Sequence, residues 1–197
     1  MSECSPKKVS PKVALIIEST LEILRDHGEQ GLSMRKVAAK AGMALGNLQY
    51  YFKNKTALLI GLGDVYFGQC AEHYQQELAA QNPQGKDEII RFLVDYGVNY
   101  GDSEIGKVIR ELWGIADRNE EIKNQLHGFY QHYVKDYAEM LAPFAKDRDC
   151  AIKAASVLIM SVDGHGMISS SLPLSKQEVS GLLVRMVESC LAGKFSG

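Results

Sequence analysis

The stretch from residue 33 to residue 52 decides the fold; it reads SMRKVAAKAGMALGNLQYYF. It predicts two short helices joined by a tight turn. Ala38 puts a small side chain where the helices would cross, Gly42 permits a left-handed backbone in the turn, and Leu48 packs the second helix against the first. This arrangement is a helix-turn-helix, whose second helix enters the major groove of DNA.

The charges around this stretch favour the same interpretation. The chain has 197 residues, with 22 Lys and Arg against 24 Asp and Glu. Residues 1–60 carry nine basic and five acidic side chains, whereas residues 61–197 carry 13 basic and 19 acidic ones. Residues 31–60 hold five basic side chains and no acidic one. A basic head on an acidic body predicts an anionic partner for the head alone.

Helical periodicity dominates the whole sequence, so we predict an all-α protein of about nine helices. Ser10, Ser33, Asn54 and Asn119 stand where helices should begin, and Ser175 with Glu178 forms a capping box. We predict three parts: a flexible basic arm at residues 1–9, a three-helix DNA-binding domain at 10–60, and a larger helical body at 61–197.

Several protein classes are excluded by what the sequence lacks. The four cysteines are far apart and form no C-x-x-C pair, so we expect no metal site and a reducing compartment. We find no signal peptide and no stretch approaching the ~18 apolar residues of a membrane span, which predicts a cytoplasmic, soluble protein. Phosphate-loop, dinucleotide-binding, zinc-protease and serine-hydrolase motifs are absent from the sequence, so we expect no enzyme and no cofactor.

Residues 32–42 and 46–55, LSMRKVAAKAG and GNLQYYFKNK, resemble the N-terminal domain of TetR-family transcriptional regulators. The resemblance covers about residues 10–65, and the string GNLQYYF is most similar to BetI-like members. It implies that double-stranded DNA is contacted by ten residues: Ser33, Arg35, Lys36, Leu45, Gly46, Asn47, Gln49, Tyr50, Tyr51 and Lys55. Asn47 and Gln49 would pair with adenine edges, and Lys55 would meet a phosphate at a helix N-terminus.

Two positions depart from the family pattern. Ala44 replaces a Ser or Thr that often caps the recognition helix, and the loss of a cap costs about 1 kcal/mol. Leu45 replaces a residue that is often polar or basic, which favours contact with a thymine methyl group. Other roles are open: Tyr50 and Tyr51 could pack the head, and Lys53, Lys7 and Lys8 could be solvated.

The resemblance also implies that the body binds a small-molecule effector. Aromatic and soft apolar side chains in the middle of the body are the candidates: Phe92, Tyr96, Tyr100, Trp113, Phe129, Tyr130, Tyr133 and Met167. With a nearby acid such as Glu111 or Asp163 they could hold an organic cation, and His127 and His165 are further polar candidates. Aromatic residues at helical spacing are also typical of a core, and that alternative stays open.

The resemblance further implies a homodimer formed by the last two long helices. The apolar candidates are Ala151, Ala155, Leu158, Leu182, Leu183, Met186 and Cys190. An intrachain core fits the same residues. A dimer would present two recognition helices about one DNA turn apart and would read a pseudo-palindromic operator.

These features together predict a repressor that a small molecule releases from its operator. Two alternatives keep the DNA-binding head: the body could dock a protein partner, or the protein could activate transcription.

Overall fold

The structure, a computed structural model, describes residues 9–100 and 103–195, with the side chains of Glu104 and Ile105 excepted. This part of the chain contains nine α-helices and no strand. The helices are α1 (Pro11–Gly31), α2 (Met34–Lys40), α3 (Leu45–Tyr51), α4 (Lys55–Gln81), α5 (Gly85–Tyr100), α6 (Glu104–Ala116), α7 (Glu120–Leu141), α8 (Arg148–Ile168) and α9 (Lys176–Leu191). The predicted all-α class is confirmed. Residues 1–8 of the predicted arm lie outside the described residues.

The helices begin where the sequence places capping side chains. Ser10, Ser33 and Asn54 each accept a hydrogen bond from the amide three residues later, at 3.3, 3.3 and 2.8 Å respectively. Asn119 caps α7 in the same way, at 3.2 Å. The Ser175 capping box is complete. Each such bond satisfies one of the free amides of a first helical turn, which fixes the position of the helix start.

Two compact units make up the fold. Unit 1 comprises the described part of residues 1–73 together with residues 108–127, and unit 2 comprises the described part of residues 74–107 and 128–197. These units differ from the predicted division at residue 60. Residues 108–127, expected to belong to the body, group with the helix-turn-helix instead.

Side-chain hydrogen bonds explain this grouping of residues 108–127. Asn119 Nδ2 donates to Thr56 Oγ1 at 3.1 Å, and Gln125 Nε2 donates to the Ile60 carbonyl oxygen at 2.8 Å. Gln125 Nε2 also lies 2.7 Å from Asp64 Oδ1. The start of α7 is therefore bonded at several points to the first half of α4. Hydrogen bonds made by amide side chains leave no periodic pattern of apolar residues, so these contacts could not be predicted from the periodicity of the sequence.

The core of unit 1 holds α1, α2 and α3 together. Ile16, Leu48, Leu58 and Leu62 are fully buried, and Val37 is buried beside them. Gly28 adopts φ 62° and interrupts α1 just before its end, at one of the two glycines expected to close that helix. Glycine takes this left-handed conformation without the steric cost that a Cβ would bring.

The core of unit 2 is built by α5, α8 and α9, with the second half of α7. Leu93, Leu141, Leu158 and Val187 are almost completely buried in it. A Cβ at Gly97 would lie 2.8 Å from Val162 Cγ1, so α5 and α8 approach each other closely at this point. Small side chains such as Ala154 let α8 pack in the same way.

One prediction about the body needs correction. Arg148–Ser171 is long and apolar enough to cross a membrane, with a mean hydropathy of 1.2, although no such stretch was expected. Length and composition alone give this result. Core helices of soluble proteins have the same properties, and α8 buries Leu158 and Val162 in the core of unit 2.

Candidate DNA-binding surface and effector region

The turn between α2 and α3 has the geometry of a helix-turn-helix. Gly42 adopts φ 64°, and the Met43 amide donates to the Ala38 carbonyl oxygen at 2.9 Å. Ala38 is 3 % exposed and Leu48 is fully buried. The three residues that the sequence singled out therefore set the crossing, the turn and the packing of the two helices, as predicted.

The outer face of α3 is open to solvent. Gly46, Asn47 and Gln49 are exposed, and a Cβ built at Gly46 meets no atom within 4 Å. Leu45 is partly buried. These two exposed amide side chains lie two residues apart, and each can donate and accept hydrogen bonds, which is the chemistry that an adenine edge requires.

The two tyrosines at the end of α3 differ in exposure. Tyr50 is 84 % exposed, whereas Tyr51 is half-buried. Their rings meet edge to face with centroids 5.2 Å apart. Tyr50 is thus available to a partner, and Tyr51 supports it from the side of the domain core.

The N-terminus of α3 lacks a side-chain cap. Ala44 occupies the cap position with the extended backbone typical of a cap, and it makes no capping hydrogen bond. The predicted loss of the cap is therefore observed, and its energetic cost stays a prediction. The helix that would read the operator begins with its first amides unsatisfied by any side chain.

The basic side chains of α2 differ from one another in their exposure and in their partners. Arg35 and Lys36 are exposed, and Ser33 Oγ is occupied by the Lys36 amide. Lys40 pairs with Glu22 of α1, and this hydrogen bond raises the pKa of Lys40 above its ordinary value. Arg35 and Lys36 therefore supply the accessible positive charge at the start of α2.

Lys55, the first residue of α4, is already paired within unit 1. Its Nζ donates to the Glu29 carbonyl oxygen at 2.8 Å and lies 3.1 Å from Glu29 Oε1. Both side chains are about one-third exposed, at 34 %. A phosphate would share or displace Glu29, so the predicted phosphate contact stays a prediction.

Unit 2 contains a continuous cluster of aromatic rings. On α5, Phe92, Tyr96 and Tyr100 stack in sequence with centroid distances of 6.0 and 5.4 Å. On α7, Phe129 stacks on Tyr133 at 5.9 Å. The remaining members are Tyr74, Tyr130 and Tyr137, with Tyr74 joining the two series through Tyr96 and Tyr137. We call these eight residues the aromatic cluster.

The predicted effector residues are only partly brought together. Six of them belong to the aromatic cluster: Phe92, Tyr96, Tyr100, Phe129, Tyr130 and Tyr133. Trp113 belongs to unit 1, where its ring lies 6.0 Å from that of His127. Met167 is 68 % exposed.

Three members of the aromatic cluster bear hydroxyl groups with defined partners. The hydroxyls of Tyr133 and Tyr137 lie 2.8 Å apart, and Tyr74 donates to Met140 Sδ at 2.7 Å. Burial raises the pKa of all three tyrosines above the ordinary value. The hydroxyls are therefore neutral at physiological pH. The predicted effector set omitted Tyr74 and Tyr137; the spacing of four between Tyr133 and Tyr137 was the signal that could have found Tyr137.

A groove of about 600 Å³ opens between α5 and α9. Its lining includes Arg91, Asp95, Lys176, Arg185 and Glu188, and none of the predicted effector residues. The groove is lined by both basic and acidic side chains, so it differs in chemistry from the aromatic cluster.

The predicted dimer residues divide between the two faces of α8 and α9. Ala151, Ala155 and Leu158 are at most 1 % exposed, which leaves them no surface for a second chain to cover. They occupy the intrachain core that the sequence left open as an alternative. Leu183 and Cys190 are also buried in unit 2, whereas Met186 is partly buried and Leu182 is 48 % exposed.

Among the described residues, no group of three or more His, Cys, Asp and Glu side chains is placed to hold a metal ion. The side chains of Cys70, Cys150 and Cys190 are buried. Cys4 lies outside the described residues.

A helix-turn-helix with an exposed polar recognition face, joined to a helical body, defines a DNA-binding transcriptional regulator. The family model for bacterial regulatory proteins of the tetR family matches residues 16–62. A helix-turn-helix transcriptional regulator from the region 5′ of dhlA in Xanthobacter autotrophicus is 34 % identical over 184 residues, which are 91 % of this chain and 90 % of that one. The chain belongs to the TetR family of transcriptional regulators, whose members are not enzymes.

Two further comparisons concern the subfamily and the fold. The regulator BetI of Yersinia pestis (strain Pestoides F) is 24 % identical over 185 residues, covering 91 % of this chain and 92 % of BetI. The solved structure of the fatty acid degradation regulator FadR from Bacillus halodurans aligns with a TM-score of 0.66 at 19 % identity, over 95 % of this chain and 98 % of that one. The BetI-like assignment stays a prediction.

Proposed function

We propose that this regulator is a homodimeric repressor that acts in the cytoplasm and leaves its operator when a small molecule binds the C-terminal body. The observation that carries the proposal is the exposed face of α3, which presents Asn47, Gln49 and Tyr50 to solvent. A short helix that is buried on one side and exposed to solvent on the other is suited to insertion into the major groove of DNA. The two amide side chains would read bases, and Arg35, Lys36 and Tyr50 would bind phosphates.

An exposed apolar stripe along α8 supports a dimer. Ile152, Met160, Met167 and Ile168 are 40 %, 65 %, 68 % and 51 % exposed, and a Cβ built at Gly164 meets nothing within 4 Å. Their spacing places them along one side of the helix, opposite the buried Ala155 and Leu158. With Leu182 of α9, this stripe is the surface that a second copy would cover.

The aromatic cluster supports an effector with a largely apolar body. Aromatic walls with a few hydroxyl groups are the usual lining of a small-molecule site. The regulator from Bacillus halodurans that shares this fold is described as controlling fatty acid degradation. An apolar effector for the present chain agrees with that description. Effector binding would favour a state in which the two recognition helices no longer fit the half-sites.

The test is fluorescence anisotropy with the DNA immediately upstream of the gene, against a scrambled duplex, at two salt concentrations. We expect the upstream DNA to bind at least ~10³-fold more tightly. Asn47→Ala and Gln49→Ala should weaken binding to the upstream DNA by ~10-fold or more and leave binding to scrambled DNA nearly unchanged.

Gln30→Ala is the matched control, because Gln30 is an exposed amide residue in the same unit but outside α2 and α3. Equal losses on both duplexes for the α3 variants would contradict base reading. A reporter gene under the upstream DNA then gives the sign of regulation: deletion of the regulator should raise expression, and lower expression would indicate an activator.

A further inference from the structure

Among the buried polar residues that the structure describes, His165 is distinguished by its lack of hydrogen bonds. It is 5 % exposed, and neither Nδ1 nor Nε2 has a hydrogen-bond partner in the part of the chain that the structure describes. The other two buried polar residues, Ser19 and Thr20, belong to unit 1, and the Thr20 hydroxyl donates to the Ile16 carbonyl oxygen at 2.7 Å. A buried imidazole without partners forfeits the hydrogen bonds that it would make in water.

The position of His165 on α8 places it on the face that packs against α5. Leu158, Val162 and His165 follow one another at steps of four and three, which puts them on one side of the helix. Val162 meets Gly97 of α5, where a Cβ would lie 2.8 Å from Val162 Cγ1. His165 therefore lies about one helical turn beyond the contact between Val162 and Gly97. Gly97 itself stands directly after Tyr96 of the aromatic cluster, and Tyr100 is three residues further along the same helix.

The buried residues of unit 2 favour an uncharged ligand group. None of the buried residues of unit 2 in the described chain is Asp, Glu, Lys or Arg, so a buried charge of either sign would have no buried counter-charge. Asp163, whose negative charge contributes to the raised pKa of Tyr133, is exposed to solvent. Burying an unpaired charge is far more costly than burying a hydroxyl or an amide that makes a hydrogen bond.

We propose that His165 binds the effector, and that the effector is an uncharged, largely apolar molecule with one hydroxyl or amide group. A neutral imidazole has one N–H donor and one nitrogen acceptor, and a hydroxyl or amide can pair with either. The rings of the aromatic cluster would take the apolar part. This inference rests on the proposed function, because it places His165 in the effector site of the body.

The experiment measures the binding of four probes that share one ring. Isothermal titration calorimetry on the full-length protein compares p-cresol, which has a hydroxyl, with toluene, p-toluate and 4-methylbenzylammonium. We expect p-cresol to bind the wild-type protein at least ~10-fold more tightly than toluene, and more tightly than either ion. His165→Leu should remove the preference for p-cresol over toluene, and His165→Asn, which keeps a donor and an acceptor, should retain part of it.

Two further measurements separate recognition from a structural role. His165→Leu should leave the melting temperature unchanged or raise it by a few degrees, since an apolar side chain replaces an unpaired polar one. His132→Leu, at an exposed histidine of α7, is the matched control and should keep the wild-type probe preference. A fall of more than a few degrees for His165→Leu would show that the imidazole has a structural partner and would overturn the proposal.

Other results would overturn it as well. These are equal affinity of the wild-type protein for p-cresol and toluene, tighter binding of either ion, retention of the preference in His165→Leu, or no binding of any probe at millimolar concentration. Release of the upstream DNA by p-cresol is measured separately by anisotropy. Preference for p-cresol that depends on His165 but without DNA release would support the binding site and contradict the release step of the proposed function.

Discussion

The side-chain amide of Gln125 lies directly against Gly63, so close that a Cβ at position 63 would be 2.5 Å from Gln125 Oε1. The same amide donates to the Ile60 carbonyl oxygen and to Asp64 through its nitrogen. The start of α7 can therefore pack closely against α4 at Gly63, because glycine has no side chain. This close packing allows the hydrogen bonds that hold residues 108–127 in unit 1.

Gly63→Ala should lower the stability of the protein even though alanine is the better helix former. The new methyl group would push Gln125 away and break two hydrogen bonds, which costs about 1–3 kcal/mol in total. Gly68→Ala is the matched control on the same helix, because a Cβ there meets nothing within 4 Å and should stabilise by up to ~1 kcal/mol. Denaturant unfolding of the two variants checks this, and equal stability of both would contradict it.

Ala44→Ser should stabilise the recognition helix. The residue already has the backbone of an N-cap and lacks only the side-chain acceptor. We expect a gain of about 0.5–1 kcal/mol in the free energy of unfolding. Ala39→Ser, at an exposed position within α2, should give no gain because serine is a poorer helix former than alanine. Thermal unfolding of both variants decides the matter; a gain at Ala39 equal to that at Ala44 would show that capping is not the cause.

Lys55→Gln should weaken binding to upstream and scrambled DNA alike and reduce the slope of log affinity against log salt by about 1. Glu29→Gln should have the opposite effect, because it removes the carboxylate that now pairs with Lys55. Anisotropy titrations at several salt concentrations measure both changes. Lys135→Gln is the control in unit 2. An unchanged slope for Lys55→Gln would remove Lys55 from the set of phosphate contacts.

The capping box of α9 should stabilise the protein in a manner that depends on pH. The hydrogen bond from the Ser175 amide to Glu178, at 2.8 Å, lowers the pKa of Glu178 below its ordinary value of 4.5. A lowered pKa means that the stabilisation is present above pH 4.5 and is lost as the pH falls through the pKa of the folded state. The melting temperature of Glu178→Gln should therefore lie below that of the wild type at pH 7 and approach it near pH 3. A difference that persists at pH 3 would contradict the charged form as the cause.

Local features could be predicted from the sequence, and contacts between distant segments could not. The caps at Ser33 and Asn54, the missing cap at Ala44 and the turn at Gly42 each depend on a few neighbouring residues, whose chemistry determines the local backbone. The apolar period of α8 showed that it would pack, but both of its faces are apolar, with Leu158 buried and Met160 exposed. Periodicity alone therefore did not separate the core face from the candidate interface.

The same limit applies to the effector region. The rings of α5 were expected at helical spacing, yet Tyr74 joined them only because α4, α5 and α7 come together in space. Trp113 was grouped with these rings by its place in the sequence, and the structure assigns it to unit 1. The unpaired state of His165 depends on every side chain around it, which no motif describes.

The hydrogen bonds from Asn119 to Thr56 and from Gln125 to Ile60 have a consequence for hybrid regulators. A chimaera joined at residue 60 would combine the DNA-binding head of one protein with the α6–α7 turn of another, and these pairs would no longer match. A graft that carries residues 108–127 along with the head would keep them intact. For the same reason, substitutions at positions 63 and 125 should accompany one another during divergence, because a side chain larger than glycine at position 63 would displace the amide of the glutamine from its hydrogen bonds.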